Sequence, residues 1–330
     1  LSLYSVIAFN KNSLFSSEAA VKYYILGAIS SGFLLFGISL VYGLTGSLSF
    51  NEIFAHIALL DISSSIDNVQ VIGLLFALIF ILISLSFKFG AAPFHMWIPD
   101  VYHGSIITTT LLLSTIPKIA VFVIFIKLLA IVFSGLFLFW SDMVVILAIL
   151  SILIGNIIAI SQTNIKRMLA YSTIANIGFI LLGLSVGSII AYKAAMFYTL
   201  TYVITTVAAF GLLSQLIYRK KPVESISDLS GLNSSNPFAA FLLMVVLLSY
   251  IGIPPFLGFH AKLFIIQSLV ESNNIPLSIF AVLMTVIGSF YYLRVIKVIY
   301  FDELKDELLT TSKLYFTGVY IIGLVLLGLL

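Results

Sequence analysis

The chain alternates between long apolar runs and short polar joints. Apolar stretches of roughly 20 residues, the length that crosses about 30 Å of hydrocarbon as a helix, recur along its whole length. The pattern delimits ten spans: a partial helix at 1–9, then 17–43, 70–98, 106–133, 141–162, 166–186, 191–218, 237–270, 275–301 and 313–330. Only the joints 44–69, 219–236 and 302–312 are longer than a tight connection. The runs are too long and too uniformly apolar for the alternating strands of a membrane barrel. Lipid offers the backbone no hydrogen bonds, so the remaining way to cross is a helix. The expected fold class is all-α and polytopic, a single membrane domain over 1–330.

Two spans are interrupted by different chemistry. GAAP breaks 70–98 near 89–93, and GIPPFLG breaks 237–270 at 252–258. Proline removes a backbone donor and clashes one turn back, and glycine permits the bend. The spans divide into repeat one (1–133), repeat two (141–301) and a C-terminal helix (313–330). Each break is read as standing in the third span of a five-helix unit, and an odd span count inverts the second unit. Broken helices at matching places in inverted repeats point to a transporter's ion site at mid-membrane. The plainer alternative is that proline and glycine are simply common in membrane helices.

Composition agrees with the pattern. Of 330 residues, 61% are hydrophobic and only 9% charged, with a mean hydropathy of +1.20, against about 25% charged in soluble domains. The absence of cysteine excludes disulfides and thiolate metal sites. Alternating the joints from 10–16, called side A, places Lys11, Lys166, Arg167, Arg219, Lys220, Lys221, Lys305 and Lys313 on one side. Side B has chiefly Lys193, with Glu52, Asp61, Asp67 and Glu271. The positive-inside rule puts side A in the cytoplasm or an organelle's matrix. Abundant phenylalanine (28) beside three arginines suits an AT-rich genome such as an organelle's.

Within the spans, depth decides what each charge costs. A lysine at the bilayer centre costs about 2.5–3.5 kcal/mol on insertion scales, whereas one near a helix end snorkels to the headgroups. Lys22, Lys127, Arg294 and Lys297 lie near ends and read as interfacial. Lys118 lies twelve residues into 106–133, about 18 Å from its start, directly after Pro117. Lys88 and Lys262 stand beside the breaks, where freed carbonyls and trapped water can solvate an ammonium. All 13 acidic residues fall in joints or at span edges, so no mid-membrane carboxylate pairs with these lysines. Burial disfavours a charged amine, which makes Lys88, Lys118 and Lys262 candidate proton carriers. The alternative is a structural role, capping the carbonyls of the broken helices. His95 and His260, next to the breaks, suit either a proton relay or a structural hydrogen bond. His56 and His103 read as inert joint residues. Metal-ligand spacing, a phosphate loop and a nucleophilic triad are all missing from the sequence.

FKFGAAPFHMWIPDVYHG, LSTIPKIAVF, QTNIKRMLAYSTIANIGFILLGL and SYIGIPPFLGFHAKLF together resemble NADH dehydrogenase subunit 2, an antiporter-like membrane subunit of respiratory complex I. SSEAAVKYYILGAISSGFLLFGISLVYGLTG and GSFYYLRVIKVIYF fit as well, so the resemblance covers nearly the whole chain. It implies a proton channel of two inverted five-helix repeats in NADH:ubiquinone oxidoreductase, with buried lysines at Lys88, Lys118 and Lys262. The implied chain carries no cofactor of its own; NADH, FMN, iron–sulfur clusters and ubiquinone act elsewhere in the complex. The implied partners are other complex I membrane-arm subunits, neighbouring antiporter-like subunits among them, and lipid, with no nucleic acid. The implied setting is the mitochondrial inner membrane, side A facing the matrix. The family also places a glutamate just upstream of a segment like Leu1-Ser2-Leu3-Tyr4, where it modulates the first lysine. Its absence implies either a piece of a longer chain or a second polypeptide supplying the early helices. His260 departs from the small or apolar residue usual there. A cation/proton antiporter subunit of the related multi-subunit type, or a purely structural membrane scaffold, are the rival readings.

Overall fold

Hydrocarbon forces backbone groups to pair within their own segment, and most of the chain is accordingly helical. The computed structural model describes residues 2–9, 13–60, 69–218, 221–303 and 310–311. Helices α1 (Ser2–Ile7), α2 (Leu14–Thr45), α3 (Phe50–Ala58), α4 (Val69–Phe89), α5 (Trp97–Gly104) and α6 (Ile107–Phe125) come first. There follow α7 (Phe137–Ser161), α8 (Ile165–Ser185), α9 (Ile189–Gln215), α10 (Leu232–Ser235), α11 (Pro237–Ile251), α12 (Leu257–Glu271) and α13 (Ile275–Phe301). Among the described residues, seven helical segments are long and apolar enough to span a membrane, and the fold is all-α and polytopic. Among the described residues there is one minimal sheet: β1 (Leu216–Tyr218) pairs antiparallel with β2 (Lys221–Pro222) and β3 (Thr310–Thr311).

The structure corrects the expected elements in three places. The joint 44–69 contains α3, a short helix with Ile53 and Ile57 buried and its other face exposed. The 106–133 span is not uniform, since α6 passes into a π-helix over Ile126–Val132. The breaks do not share an ordinal place. The first falls in the third segment of its run (α1, α2, α4–α5, α6). The second falls in the fourth of α7, α8, α9, α11–α12 and α13. The expected helix at 313–330 lies outside the described residues, as do Lys11, Asp61, Asp67, Arg219, Lys220, Lys305 and Lys313.

Helix α8 forms the centre, buried on every face and packed by α5, α7, α9 and α12. Its contact with α7 is close because Gly155 and Gly178 let the two backbones approach, the packing membrane helices favour. The joints assigned to side A meet in space. Asp100 accepts from Lys22 at 2.8 Å and Arg167 at 3.0 Å. Lys166 Nζ donates to His103 O at 2.7 Å and Ser105 O at 3.0 Å. The Ile165 amide donates to Glu224 O, and Arg294 donates to Ile160 O and Gln162 O. These contacts agree with alternation of the spans. Lys297 lies 4.0 Å from Asp302 and Lys22 also pairs with Glu18, so both end charges stand among partners outside the core.

Candidate functional site

Each break is built to one plan. Helix α4 ends at Phe89, Gly90 turns with φ 90°, and a cis Ala92–Pro93 bond follows. Helix α11 ends at Ile251, Gly252 turns with φ 86°, and a cis Pro254–Pro255 bond follows. Glycine adopts this left-handed backbone without steric cost, and in both breaks the cis proline stands three residues after it. A serine supports each: the Ala92 amide donates to Ser151 Oγ at 2.8 Å, and the Gly258 amide to Ser249 Oγ at 3.3 Å.

A helix end leaves its last carbonyls unpaired, and in both breaks a lysine takes them. Lys118 Nζ donates to Phe89 O at 2.7 Å, and lies 4.8 Å from the centre of the Trp97 ring, a cation–π distance. Trp97 is held in place by its Nε1 donating to Phe87 O at 2.8 Å. Lys262 Nζ donates to Tyr250 O and Ile251 O, both at 2.9 Å, and lies 5.3 Å from the Phe179 ring. Lys118 is fully buried. The two sites differ in origin: Lys118 reaches across from α6, whereas Lys262 lies on the second half of its own interrupted span.

Lys88 does not sit on the carbonyls of its break, as its position suggested. It lines an apolar cavity of about 320 Å³ between α2, α3, α4 and α6, with Leu34, Ile53, Ile81 and Val121. His95 is buried, its ring centre 6.4 Å from that of Tyr171, and its Nδ1 has no hydrogen-bond partner. His260 is not brought to Lys262. Positions two apart face different sides of a helix, and His260 stands exposed between the rings of Phe259 and Phe264. His103, read as inert, borders two side-A cavities with Lys166, Arg167, Asp100 and Glu224. Burial holds its imidazole below the ordinary value, the nearby cations adding to that effect. Among the described residues, no group of three His, Asp or Glu is placed to hold a metal.

Sequence reading missed the hydroxyl and amide side chains around Lys262. Tyr198 Oη donates to Asn176 Oδ1 at 2.8 Å, Tyr202 Oη donates to Thr173 Oγ1 at 3.0 Å, and Thr206 Oγ1 and Tyr250 Oη are 2.8 Å apart. Ser172 bonds Tyr292, and Tyr291 Oη donates to Asn156 Oδ1. Two water-sized cavities flank Lys262. One is lined by Asn156, Asn176, Tyr250, Tyr291 and Tyr292, the other by Asn176, Tyr198, Tyr202, Tyr250 and Ser249. The signal was present in the sequence: Ser172, Thr173 and Asn176 are polar residues close together in one apolar span, and all three are buried on α8.

Two interrupted helices, each closed by a lysine within a polytopic bundle, define the antiporter-like class of membrane proteins. The family model described as NADH:quinone oxidoreductase/Mrp antiporter, TM, matches residues 1–288, and the chain belongs to that family. It is 48% identical over 307 residues to NADH-quinone oxidoreductase subunit N of Thioalkalivibrio sulfidiphilus, covering 93% of this chain and 63% of the relative. It is 43% identical over 334 residues to subunit N of Hydrogenovibrio crunogenus, covering 100% of this chain and 68% of the relative. A chain of respiratory complex I from Thermus thermophilus with bound aureothin superposes with a TM-score of 0.81 at 30% identity, over 100% of this chain and 70% of that one. The chain thus spans about 63% of the length of the first of these relatives.

Proposed function

We propose that the chain is a proton-translocating membrane-arm subunit of an NADH:quinone oxidoreductase, driven by redox chemistry in other subunits. The observation that carries this is the pair Lys118, fully buried, and Lys262, half-buried, each closing a broken helix with no carboxylate at hand among the described residues. An ammonium held by carbonyls and the face of one aromatic ring has no opposite charge to offset its burial. A small change in their geometry therefore shifts the balance between holding and releasing a proton. Protons pass from side A by Lys88 and Lys118 to Lys262, and leave towards side B. His95, buried beside the first break, is the histidine placed to serve that route; His260 is not.

The matched construction of the two breaks supports a two-repeat architecture, 1–133 and 141–301, with the second repeat inverted. Neighbouring antiporter-like subunits and lipid cover the exposed apolar faces of α2 and α13. The quinone, ubiquinone included, and the nicotinamide chemistry belong to other subunits. Side A is the cytoplasmic or matrix face of the coupling membrane. The relatives reported above are bacterial, and a mitochondrial inner membrane is supported by composition alone.

The test is proton pumping by the assembled complex in sealed vesicles during NADH oxidation. Lys118→Ala and Lys262→Ala are expected to lower the protons moved per electron. Full pumping with neutral residues at Lys88, Lys118 and Lys262 together would sink the reading. Sodium-dependent transport without NADH would favour a cation/proton antiporter instead.

A further inference from the structure

The ammonium of Lys118 rests on a ring that other helices hold. Trp97 starts α5, the half-helix after the first break, and its ring centre lies 4.8 Å from Lys118 Nζ. The indole is buried, its Nε1 is tied to Phe87 O, and the Phe87 ring leans on it at 5.7 Å. Tyr23 of α2 stacks on the same indole, with ring centres 4.7 Å apart and planes inclined by 28°. Tyr4 of α1 sets its ring edge-on against Tyr23, also at 4.7 Å. A line of direct contacts therefore runs from Tyr4 through Tyr23 and Trp97 to Lys118, one residue on each of α1, α2, α5 and α6.

The grip of α2 on α5 is double. Asp100 stands three residues after Trp97, on the same face of α5, and accepts from Lys22, the residue before Tyr23. A shift of α2 therefore pulls on the ring and on the helix that carries it. On its other side α2 is open to its surroundings, with Val21, Ile25, Leu35 and Phe36 exposed. The order of lysine, ring and tyrosine recurs at the second break. Lys262 Nζ lies 5.3 Å from the Phe179 ring, and Tyr198 stacks on that ring, centres 5.9 Å apart and planes 7° from parallel. There the tyrosine is buried on α9. At the first break it belongs to a helix that lipid or a neighbouring subunit can push.

We propose that Trp97 is a positioning residue for Lys118, holding the ammonium against its ring face, and that Tyr23 makes this grip depend on the position of α2. The proposal rests on the lysine reading above. The quadrupole of an aromatic face attracts a cation and offers a neutral amine much less. The strength of the contact therefore enters the balance between holding and releasing a proton. It weakens as the ring slides away from the ammonium. Displacing α2 moves the ring, and the ring alters that balance at Lys118 without any charge having to cross the distance.

The experiment uses the intact complex in sealed vesicles and reads the rate of proton pumping during NADH oxidation. Tryptophan analogues of increasing fluorination are placed at position 97 alone. Fluorine withdraws charge from the ring face and hardly changes its shape. Pumping is expected to fall in step with fluorination, by about tenfold across the series, within the range of a desolvated cation–π contact. Tyr23→Leu is expected to flatten that dependence, and Tyr23→Phe, which keeps the ring, to restore it. A ring that only fills space would give the same pumping throughout the series. That result, with Lys118→Ala defective, overturns the role of Trp97 and leaves the lysine reading standing, whether or not Trp97→Leu assembles. An unchanged fluorine dependence in Tyr23→Leu overturns the link to α2. Full pumping in Lys118→Ala overturns the proposal together with the role of that lysine.

Discussion

Lys118 Nζ lies 2.7 Å from Phe89 O, so an amine from one helix closes the last turn of another. The bond joins α6 to the end of α4 at the point where α4 stops, and the break is thereby a two-helix structure. Lys118→Met removes the donor and leaves that carbonyl unpaired in a dry interior. We expect a loss of about 1–3 kcal/mol, read as a lowered unfolding temperature of the purified complex, together with lost pumping. Lys118→Arg is expected to recover part of the stability and little of the pumping.

Ser151→Ala tests whether the break depends on its neighbour. It frees the Ala92 amide from its partner at 2.8 Å. A loss of about 1–2 kcal/mol is expected in the thermal transition, with the lysines untouched.

At Gly258 a Cβ would fall 1.8 Å from Ser249 O, backbone that cannot yield without moving α11. Gly258→Ala is expected to cost at least the 1–3 kcal/mol or so typical of overpacking. It should also displace Lys262 from the carbonyls of Tyr250 and Ile251. Reduced assembly on native gels, or a lowered unfolding temperature, would register it.

Much of this was legible in the sequence, and the limits have physical causes. The spans were plain because lipid imposes length and apolarity, and the breaks because glycine and proline act locally. The place of Lys118 well inside its helix followed from counting residues. That Lys118, and not Lys88, takes the freed carbonyls was hidden, because sequence spacing does not record which helix lies across from which. His260 was readable in principle, since two positions from Lys262 is the wrong face. The tyrosines were hidden for a different reason: Tyr202 or Tyr250 alone is an ordinary membrane residue, and only the pairing with Thr173 or Thr206 gives it meaning.

Asp100 gives a pH dependence. Burial raises the pKa of its carboxyl, but the hydrogen bonds from Lys22 and Arg167 outweigh this and hold it below the ordinary 3.8. Its contribution is therefore complete above that ordinary value and is lost as pH falls through the lowered one. The pairs are about a third exposed, so the effect is at most about 1 kcal/mol. Asp100→Asn is expected to lower the unfolding temperature at neutral pH and to flatten its fall below pH ~4.

Helix α8, sealed from lipid on every side, carries a consequence for variation. Helices such as α2 and α13 can exchange one oily residue for another because acyl chains flow around whatever is offered. Helix α8 has no fluid neighbour, so its substitutions are judged by volume and hydroxyl position, with oiliness alone no defence. Changes in membrane thickness or lipid type should likewise act first on the outer helices and reach this one only through protein.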